Sequence, residues 1–412
     1  MFEVEPLLPT TVPKKHTPSS HQIKLLVLFL ALVLLIWLWL AGTFNGAWFF
    51  LPLLCGLYVF LFVLSSKRTT SVTVKFDTKK RWTEQQANEW YASQPWLVGS
   101  NYIPSTAVNQ LEMWQRETFD PATIERELRI AQKLGMNTMR IFFHDLAYHT
   151  DSTGFFERVD VVLGICEKCG IKPLLVLFDS CWNPKPVAGP QLPPIYGWHN
   201  SRWVMAPGID ALLEPGQETR LEVYVRALAK QFKRDTRILA WDMWNEAENG
   251  MKENVLKVIE GLLPRMFEWM REEGVEQPLT TCLMGQPMKW NSFQMMQIGL
   301  SDILSFHNYG APESFLEDVR GLRRFNRPIL CTEWLARPTS VPHEILPIAK
   351  LERVGMFNWG FVTGKTNTRF PYDSIGNPYT HEPELWLHDL FLQDGSPYLQ
   401  SEYDLFYKLL QS

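Results

Sequence analysis

The sequence has little of several features that mark common classes of protein. Six cysteines in 412 residues are too few to indicate a disulfide framework. It has no long basic run and a formal net charge of -4, which argues against a nucleic-acid partner. No Gly-rich phosphate turn follows the first predicted strand, so a doubly wound nucleotide-binding sheet is disfavoured. What is present is ample apolar material for a buried core, with 46% hydrophobic and 13% aromatic residues.

Metal-binding patterns are also weak. Cys166 and Cys169 form a CxxC motif, but no second pair or nearby histidine in the sequence completes a zinc-ligand set. His144, Asp145 and His149 are metal-ligand residue types, yet a metal-dependent barrel hydrolase would carry a His-x-His on its first strand, and that motif is missing. We therefore expect neither a metal nor another cofactor.

The first part of the chain predicts a membrane anchor. Residues 1–22 are polar and typical of a disordered tail, whereas residues 23–64 hold two apolar runs of about the 20-residue length that crosses a bilayer. The loop between the runs has no Lys or Arg, while basic residues flank both outer ends, so both ends are predicted to be cytoplasmic. A cleaved signal peptide is disfavoured because no small-residue cleavage site precedes the second run. We expect an integral membrane protein that contacts a lipid bilayer through residues 23–64, with a linker and lead-in helix at 65–95.

From residue 96 onward, short apolar runs alternate with amphipathic helical patterns such as Thr123–Leu134 and Asn254–Glu273. This alternation over about 300 residues is typical of an α/β fold of the (β/α)₈ TIM-barrel type, so residues 96–412 are predicted to form one such domain. The eight predicted strands are Trp96–Ile103, Met136–Phe143, Ile171–Phe178, Ile238–Trp244, Leu279–Met284, Ile303–His307, Pro328–Thr332 and Met356–Val362.

The predicted C-terminal strand ends carry polar and aromatic side chains, and barrel active sites form at these ends. Glu246 directly follows Asn245 at the end of the fourth strand, and Glu333 ends the seventh. Two such glutamates on different strands predict carboxylates that face each other across a substrate. Six further side chains at or just after strand ends are candidate substrate contacts: Asn101, Arg140, Trp182, His307, Tyr309 and Trp359.

These motifs resemble those of clan A retaining β-glycosidases, and most closely those of glycoside hydrolase family 5. In that clan an Asn-Glu pair ending strand four supplies the acid/base, and a glutamate ending strand seven is the nucleophile. Asn245-Glu246 and Glu333 occupy those positions. The resemblance covers about residues 96–396 and extends to the four side chains Arg140, His307, Tyr309 and Trp359. The segments at 101–105 and 178–182 also resemble a bacterial group often labelled cellulase-like or xylanase-like.

Glycosidic cleavage accounts for these residue types independently. One carboxylic acid must protonate the leaving oxygen, and a second carboxylate roughly 5 Å away must attack the anomeric carbon. We expect Arg140 and Tyr309 to keep Glu333 ionised, and an apolar setting to raise the pKa of Glu246. Asn245 is expected to hydrogen-bond the sugar 2-hydroxyl, because that contact strengthens in the transition state. The Trp359 and Trp182 rings offer flat faces to sugar C–H surfaces.

Other interpretations of nearby residues are weaker. Asp242 and Glu248 flank Glu246, but Asp242 is better interpreted as an inner polar support and Glu248 as a loop charge. The segment at 360–366 imitates a phosphate-binding loop, yet it has three residues between its glycines where four are required. The loop at 183–215 is unusually long, and such loops tend to be functional, so its His199 is a further candidate sugar contact.

The sequence therefore predicts a membrane-anchored retaining glycoside hydrolase that acts on a β-linked glycan, with Glu246 as acid/base and Glu333 as nucleophile. Two alternatives stay open. A transglycosylase would use the same residues to transfer the sugar to another hydroxyl. A non-catalytic glycan-binding membrane protein could have the same barrel without turnover.

Overall fold

The computed structural model describes residues 81–284 and 290–411. All of them belong to one compact unit, Phe76–Ser412, and the other unit, Met1–Lys75, lies outside the described residues. The described part forms one parallel sheet with these strands: β1 (Val98–Tyr102), β2 (Thr138–Phe142), β3 (Lys172–Asp179), β4 (Ala240–Asn245), β5 (Leu279–Thr280), β6 (Cys282–Leu283), β7 (Leu304–His307), β8 (Ile329–Trp334) and β9 (Gly355–Asn358).

The sheet closes on itself through a strand that is split in two. Its order is β5-β4-β3-β2-β1-β9-β8-β7-β6, and Thr281 alone separates β5 from β6. Because β5 pairs with β4 and β6 pairs with β7, the two short segments together occupy one position of the barrel. Eight strand positions in a closed parallel sheet confirm the predicted TIM-barrel fold.

Helices alternate with the strands along the described chain, as the predicted pattern required. They are α1 (Glu84–Ala92), α2 (Gln110–Trp114), α3 (Pro121–Leu134), α4 (Asp145–Thr150), α5 (Ser152–Lys168), α6 (Ile209–Leu213), α7 (Gln217–Phe232), α8 (Glu253–Glu272), α9 (Ser292–Leu300), α10 (Pro312–Arg323), α11 (Pro342–Leu351) and α12 (Gln400–Gln411). The short helices α2, α4 and α6 were not predicted, because one or two turns leave too little periodicity to detect. The helices α9 and α12 were not predicted either.

The helix α3 illustrates how local sequence sets these boundaries. The Asp120 side chain accepts a hydrogen bond from the backbone N–H of Thr123, and Pro121 occupies the first turn, where its missing N–H costs nothing. The helix ends at Gly135, whose φ of 96° is readily adopted only by glycine. The strand β2 begins three residues later and delivers Arg140 to the barrel interior.

The N-terminal strand ends are covered by α1. Ala87 and Tyr91 of this helix pack in one buried cluster with barrel residues that include Leu174, Leu330 and Phe357. The apolar layer between the sheet and the outer helices forms the main core. With one end of the barrel filled by α1, the polar strand-end side chains gather at the opposite end, which we call the mouth.

The predicted localisation, an integral membrane protein with a cytoplasmic catalytic domain, requires correction. Within residues 81–284 and 290–411, no helix combines the length and the apolar character needed to cross a membrane. The 20-residue helix α8 has the length, but Lys257, Arg265 and Glu268 interrupt its apolar positions. A lipid bilayer as partner is likewise unsupported. The predicted tail at 1–22 and the two apolar runs at 23–64 lie outside the described residues.

Candidate active site

The two predicted carboxylates come together at the mouth of the barrel. Glu333 lies on β8 and is buried, and Glu246 directly follows β4, where a φ of 48° turns its side chain out of the strand direction. The carboxylate oxygens of Glu246 and Glu333 and a ring nitrogen of His307 lie within 4.8 Å of one another. These three residues are the one group in the described chain with the geometry for a metal ion. The guanidinium of Arg140, 3.0 Å from Glu333, opposes a cation there by charge repulsion.

Arg140 is fully buried and holds one side of the site together. Its Nη1 donates to Glu333 Oε1 at 3.0 Å and to Asn101 Oδ1 at 2.9 Å. Its Nε and Nη2 donate to Asp242 Oδ2 at 3.1 and 2.7 Å, and Nη2 also donates to Asn245 Oδ1 at 2.7 Å. One guanidinium thus serves two carboxyl groups, so its charge cannot balance both of them when both are ionised. Asp242 is the inner polar support that the sequence suggested.

The surroundings of Glu333 oppose its ionisation more than expected. Burial and the nearby charge of Glu246 raise the pKa of Glu333 well above its ordinary value, although Arg140 and Tyr309 pull in the other direction. The Tyr309 hydroxyl donates to Glu333 Oε2 at 2.7 Å. Arg140 lowers the pKa of Glu333 only in part because its charge is shared with Asp242.

Glu246 is held by neutral donors instead. Asn249 Nδ2 lies 2.6 Å from Glu246 Oε2, the Cys181 thiol lies 3.1 Å from the same oxygen, and His307 Nδ1 lies 2.8 Å from Oε1. Burial opposes ionisation, but the bonds from His307, Cys181 and Asn249 outweigh it and lower the pKa of Glu246. This order of the two carboxyl groups is the reverse of the one expected from the sequence.

Sequence reasoning missed Cys181 and Asn249 as partners of Glu246. Asn249 lies three residues after Glu246, where the backbone N–H of Asn249 donates to the Glu246 carbonyl and so folds the chain back. Cys181 lies two residues after the end of β3, next to the end of β4 in the sheet. The order of neighbouring strands could have suggested this contact.

Asp179, at the end of β3, was not among the predicted contact residues, and it fixes the orientation of Asn245. Asp179 Oδ1 accepts from Asn245 Nδ2 at 2.9 Å, and its Oδ2 accepts from Trp203 Nε1 at 2.7 Å. Asn245 is thus bound at both ends of its amide, by Asp179 and by Arg140. Burial raises the pKa of Asp179 to about 6, although these hydrogen bonds favour the ionised form.

The predicted aromatic side chains occupy two different environments. Trp359 packs edge-on against Phe142 and Trp203, with ring centroids 5.8 and 5.4 Å away, and faces a pocket beside Asn101. Trp182 is 43% exposed at the mouth. Trp203 is a further pocket residue that the sequence did not single out.

The predicted contact residue His199 is only 1% exposed. Its Nδ1 lies 2.9 Å from the carbonyl oxygen of Phe370, and burial lowers its pKa to about 4. His307 likewise has a pKa lowered to about 4, mainly by burial, so its ring is neutral at neutral pH. Its Nδ1 lies between the two carboxylates, 3.4 Å from Glu333 Oε2.

Comparisons with known proteins agree with the barrel fold. No protein-family model and no curated protein matches the chain. Among solved structures, the exo-β-1,4-mannosidase of Opitutaceae bacterium strain TAV5 matches with a TM-score of 0.54 at 19% identity, over 76% of this chain and 59% of that enzyme. The match therefore spans less than two thirds of that enzyme.

Two glycoside hydrolase family 5, subfamily 18 proteins also match. The protein of Bifidobacterium longum subsp. infantis has a TM-score of 0.54 at 14% identity, over 76% of this chain and 78% of its own. A variant of the Streptomyces cattleya protein, in complex with Manβ1-4GlcNAc, has a TM-score of 0.51 at 14% identity, over 76% and 80%. The chain has the fold of glycoside hydrolase family 5. The resemblance seen in its motifs is thus confirmed, whereas a cellulase-like specificity is not.

Within the family 5 fold, every predicted site residue lies at the mouth end of the barrel or in a loop that follows a strand there. Arg140 contacts both Glu333 and Asn245 and so links these two residues. His307 joins Glu246 to this group, whereas Trp182 and His199 lie farther out on the long loop after β3. The arrangement combines a polar, charged floor with aromatic walls, which suits a polyhydroxylated ring.

Proposed function

We propose that this protein is a retaining glycosidase that hydrolyses a β-glycosidic bond through a covalent glycosyl-enzyme intermediate. The observation that carries this proposal is the pair of carboxylates, Glu246 and Glu333, with oxygens within 4.8 Å at two strand ends. This spacing fits the roughly 5 Å between carboxyl groups of retaining enzymes. It is too short for the inverting arrangement, which leaves about 6.5–9.5 Å for a water molecule.

In the first step, a Glu333 oxygen forms a bond to the anomeric carbon while the bond from that carbon to the leaving oxygen breaks. Glu246 gives its proton to the leaving oxygen, so the leaving group departs as a neutral alcohol. Asn245 supports this step because one of its amide N–H groups contacts only Cys181 Sγ, at 3.5 Å, and is free to donate to the sugar 2-hydroxyl.

In the second step, the Glu246 carboxylate takes a proton from water, and the water oxygen bonds to the anomeric carbon as Glu333 leaves. Glu246 is then protonated again, and the site has returned to its starting state. Arg140 and Tyr309 each contact one oxygen of Glu333. They therefore hold this carboxylate in position while its bond to the sugar forms and then breaks.

The reaction requires the shared proton to lie on Glu246 when substrate is bound. A leaving oxygen accepts a hydrogen bond only from protonated Glu246, so binding of the glycoside favours that form. His307 Nδ1 lies 2.8 Å from Glu246 and 3.4 Å from Glu333, so one neutral ring contacts both carboxyl groups. The two carboxyl groups therefore titrate as a pair, with apparent pKa values that belong to both.

β-Mannosides are the proposed substrate class. This choice is supported by the names of two structural neighbours, an exo-β-1,4-mannosidase and a protein bound to Manβ1-4GlcNAc. Asn245, with one amide N–H that contacts only Cys181 Sγ, provides a polar group that can distinguish one hydroxyl orientation from another.

The test is turnover of aryl β-mannosides and other aryl β-hexosides by the full chain and by its Glu333→Gln variant. We expect kcat to fall by about 10⁴-fold or more in the variant, because an amide cannot serve as the attacking carboxylate. The matched control is Glu248→Gln. Glu248 is a nearby loop glutamate that accepts a hydrogen bond from Gln294 and contacts neither Glu246 nor Glu333. We expect the kcat of this variant to stay within about twofold of the wild-type value.

A Glu246→Ala variant separates the two roles. It should lose far more activity on substrates with poor leaving groups than on activated aryl glycosides, since the latter need little protonation. Added azide should restore turnover and yield the β-glycosyl azide, because this anion attacks the intermediate without a base. Equal losses on all substrates, with no azide product, would contradict the assignment of Glu246.

A further inference from the structure

The long loop after β9 places a second tyrosine beside the two carboxylates. This loop carries Tyr372 on a short 3₁₀ turn, Tyr372–Ser374. The Tyr372 ring packs edge-on against Tyr309, with ring centroids 6.3 Å apart. Tyr309 in turn donates to Glu333 Oε2 at 2.7 Å. One aromatic ring therefore separates Tyr372 from the proposed nucleophile.

Two histidines pack against the Tyr372 ring. The ring centroid of His199 lies 4.9 Å away and that of His388 lies 5.5 Å away, and both contacts are edge-on. Both histidines are buried, and burial lowers the pKa of His199 to about 4 and that of His388 well below its ordinary value. Neither ring is charged at neutral pH, so Tyr372 rests on a fixed, neutral surface.

His199 also holds the backbone on both sides of Tyr372. Its N–H donates to Ser374 Oγ at 3.0 Å, and its Nδ1 lies 2.9 Å from the carbonyl oxygen of Phe370. Because a carbonyl oxygen can only accept, Nδ1 carries the proton of the neutral ring and donates it to Phe370. The residues two positions before and two positions after Tyr372 are thus both bonded to one buried side chain.

The loop after β9 is further anchored to the loop after β3. The Thr366 carbonyl accepts from the N–H of Asn200 at 2.9 Å, and the N–H of Tyr379 donates to the Gly197 carbonyl at 3.0 Å. Gly197 has a φ of 76°, and a Cβ atom added there would lie 1.9 Å from the Tyr379 carbonyl oxygen. The two loops therefore pack at their backbones on either side of Tyr372.

The Tyr372 hydroxyl can form more hydrogen bonds than the protein gives it. A phenolic hydroxyl donates one hydrogen bond and accepts up to two. Among the described residues, its one hydrogen-bonding neighbour is the Tyr309 hydroxyl. Burial and the charge of Glu333 raise the pKa of Tyr372 above its usual range, so the phenol keeps its proton. Hydrogen-bonding capacity is therefore left for a ligand at the mouth, where Tyr372 is 42% exposed.

The surroundings of this hydroxyl indicate which part of the substrate it faces. The charge of Glu333 affects the pKa of Tyr372 more than the charge of Glu246 does. Tyr309, which packs against Tyr372, also bonds Glu333. In the proposed function Glu333 attacks one sugar, whereas Glu246 protonates the group that leaves. Tyr372 therefore faces the sugar that Glu333 attacks.

We propose that Tyr372 is a further substrate-binding residue, whose hydroxyl hydrogen-bonds a hydroxyl group of the sugar that Glu333 attacks. This inference rests on the proposed function and adds a contact that sets which sugar is accepted. Asn245 is assigned to the sugar 2-hydroxyl, so the partner of Tyr372 is the 3-, 4- or 6-hydroxyl. The exposed part of the Tyr372 ring offers a face to the C–H surface of the same sugar.

The experiment measures kcat/KM of the full chain and its Tyr372→Phe variant on an aryl β-hexoside that the full chain turns over, and on its 3-, 4- and 6-deoxy counterparts. On the parent substrate we expect the variant to lose about tenfold, because phenylalanine keeps the ring but lacks the hydroxyl. On one deoxy substrate the same substitution should cost less than about twofold, because the partner hydroxyl is already missing there. On the other two the loss should stay near tenfold.

The matched control is Tyr379→Phe, which removes a hydroxyl from the same loop. The Tyr379 hydroxyl donates to Asp373 at 3.0 Å in an exposed contact, so kcat/KM on the parent substrate should stay within about twofold. A second control is the Glu333→Gln protein, which measures contaminating glycosidase activity.

Equal losses for Tyr372→Phe on the parent and on all three deoxy substrates would overturn the inference, because a purely structural role affects every substrate alike. No loss on the parent substrate would also overturn it. Either result leaves the glycosidase proposal in place, since the full chain still turns over the parent. No turnover of any aryl β-hexoside above the Glu333→Gln level would overturn the proposed function and, with it, this inference.

Discussion

The two carboxylates of the site share His307 as a neighbour, yet their other partners differ in charge. Glu333 is held by the permanently charged Arg140 inside a buried group that also contains Asp242. Glu246 is held by a thiol and an amide, which are neutral. A group that is required to return to one geometry can therefore be fixed by a cation. A group that must gain and lose a proton is better held by donors whose charge does not change.

The largest effect is expected from breaking the charged side. Arg140→Met should destabilise the domain by about 3–5 kcal/mol, because it leaves Asp242 and Glu333 buried without a counter-charge. Urea unfolding followed by circular dichroism at pH 7 measures the change. The matched control is Arg226→Met, which removes a partly exposed arginine from helix-surface ion pairs and should cost less than about 1 kcal/mol. Similar losses in both variants would show that Arg140 does not act through buried charge.

A second effect of intermediate size concerns the cost of the Glu333 charge. Since the pKa of Glu333 is raised in the folded state, the folded protein binds this proton more tightly than the unfolded chain does. Stability is therefore lost as the pH rises from the ordinary glutamate value of about 4.5 through the raised one.

Glu333→Gln should remove this loss. We expect the variant to melt at least about 2 °C above the wild type at pH 8, with the difference vanishing toward pH 4. The exposed Glu268→Gln variant is the control for the loss of a surface carboxylate. A variant that melted below the wild type at pH 8 would mean that Glu333 is ionised more readily in the folded state than in the unfolded chain.

The smallest effect is expected on the neutral side. Cys181→Ala removes a weak thiol donor from Glu246, so the pKa of Glu246 should rise and the acid limb of kcat/KM, which follows the more acidic carboxyl group, should move to higher pH by less than about one unit. Turnover at the optimum should change by about two- to fivefold. A pH profile of an aryl β-glycoside, with the buried but distant Cys166→Ala as control, measures this shift. An unchanged profile would leave Asn249 and His307 as the partners that matter.

Much of the architecture could be predicted because it depends on local pattern. The strand that carries Glu246 and the helices α3 and α8 follow from apolar periodicity, and the position of Glu333 at a strand end follows from the run that precedes it. The split of one strand at Thr281 could not be predicted, since it depends on pairing with β4 on one side and β7 on the other.

The contacts within the site were predictable only in part, because they too depend on which distant chain segments come together. Arg140 and Tyr309 were expected beside Glu333 and lie there. The partners Cys181 and Asn249, and the order of the two carboxyl pKa values, depend on distances between chain segments and on how one guanidinium is shared. Sequence supplies the residue types, whereas the balance of burial against charge exists only after folding.

The contacts of Arg140 also bear on how the domain reaches its native state. This one side chain connects β1, β2, β4 and β8, and its partner Glu333 lies 193 positions further along the chain. A folding intermediate that lacks β8 would bury Arg140 and Asp242 without the hydrogen bond from Arg140 to Glu333. The free energy of such an intermediate is high, because a buried charge is then left incompletely paired. The Arg140 contacts therefore make folding of the barrel more cooperative, because they disfavour partly assembled barrels and couple the assembly of β1 to the arrival of β8.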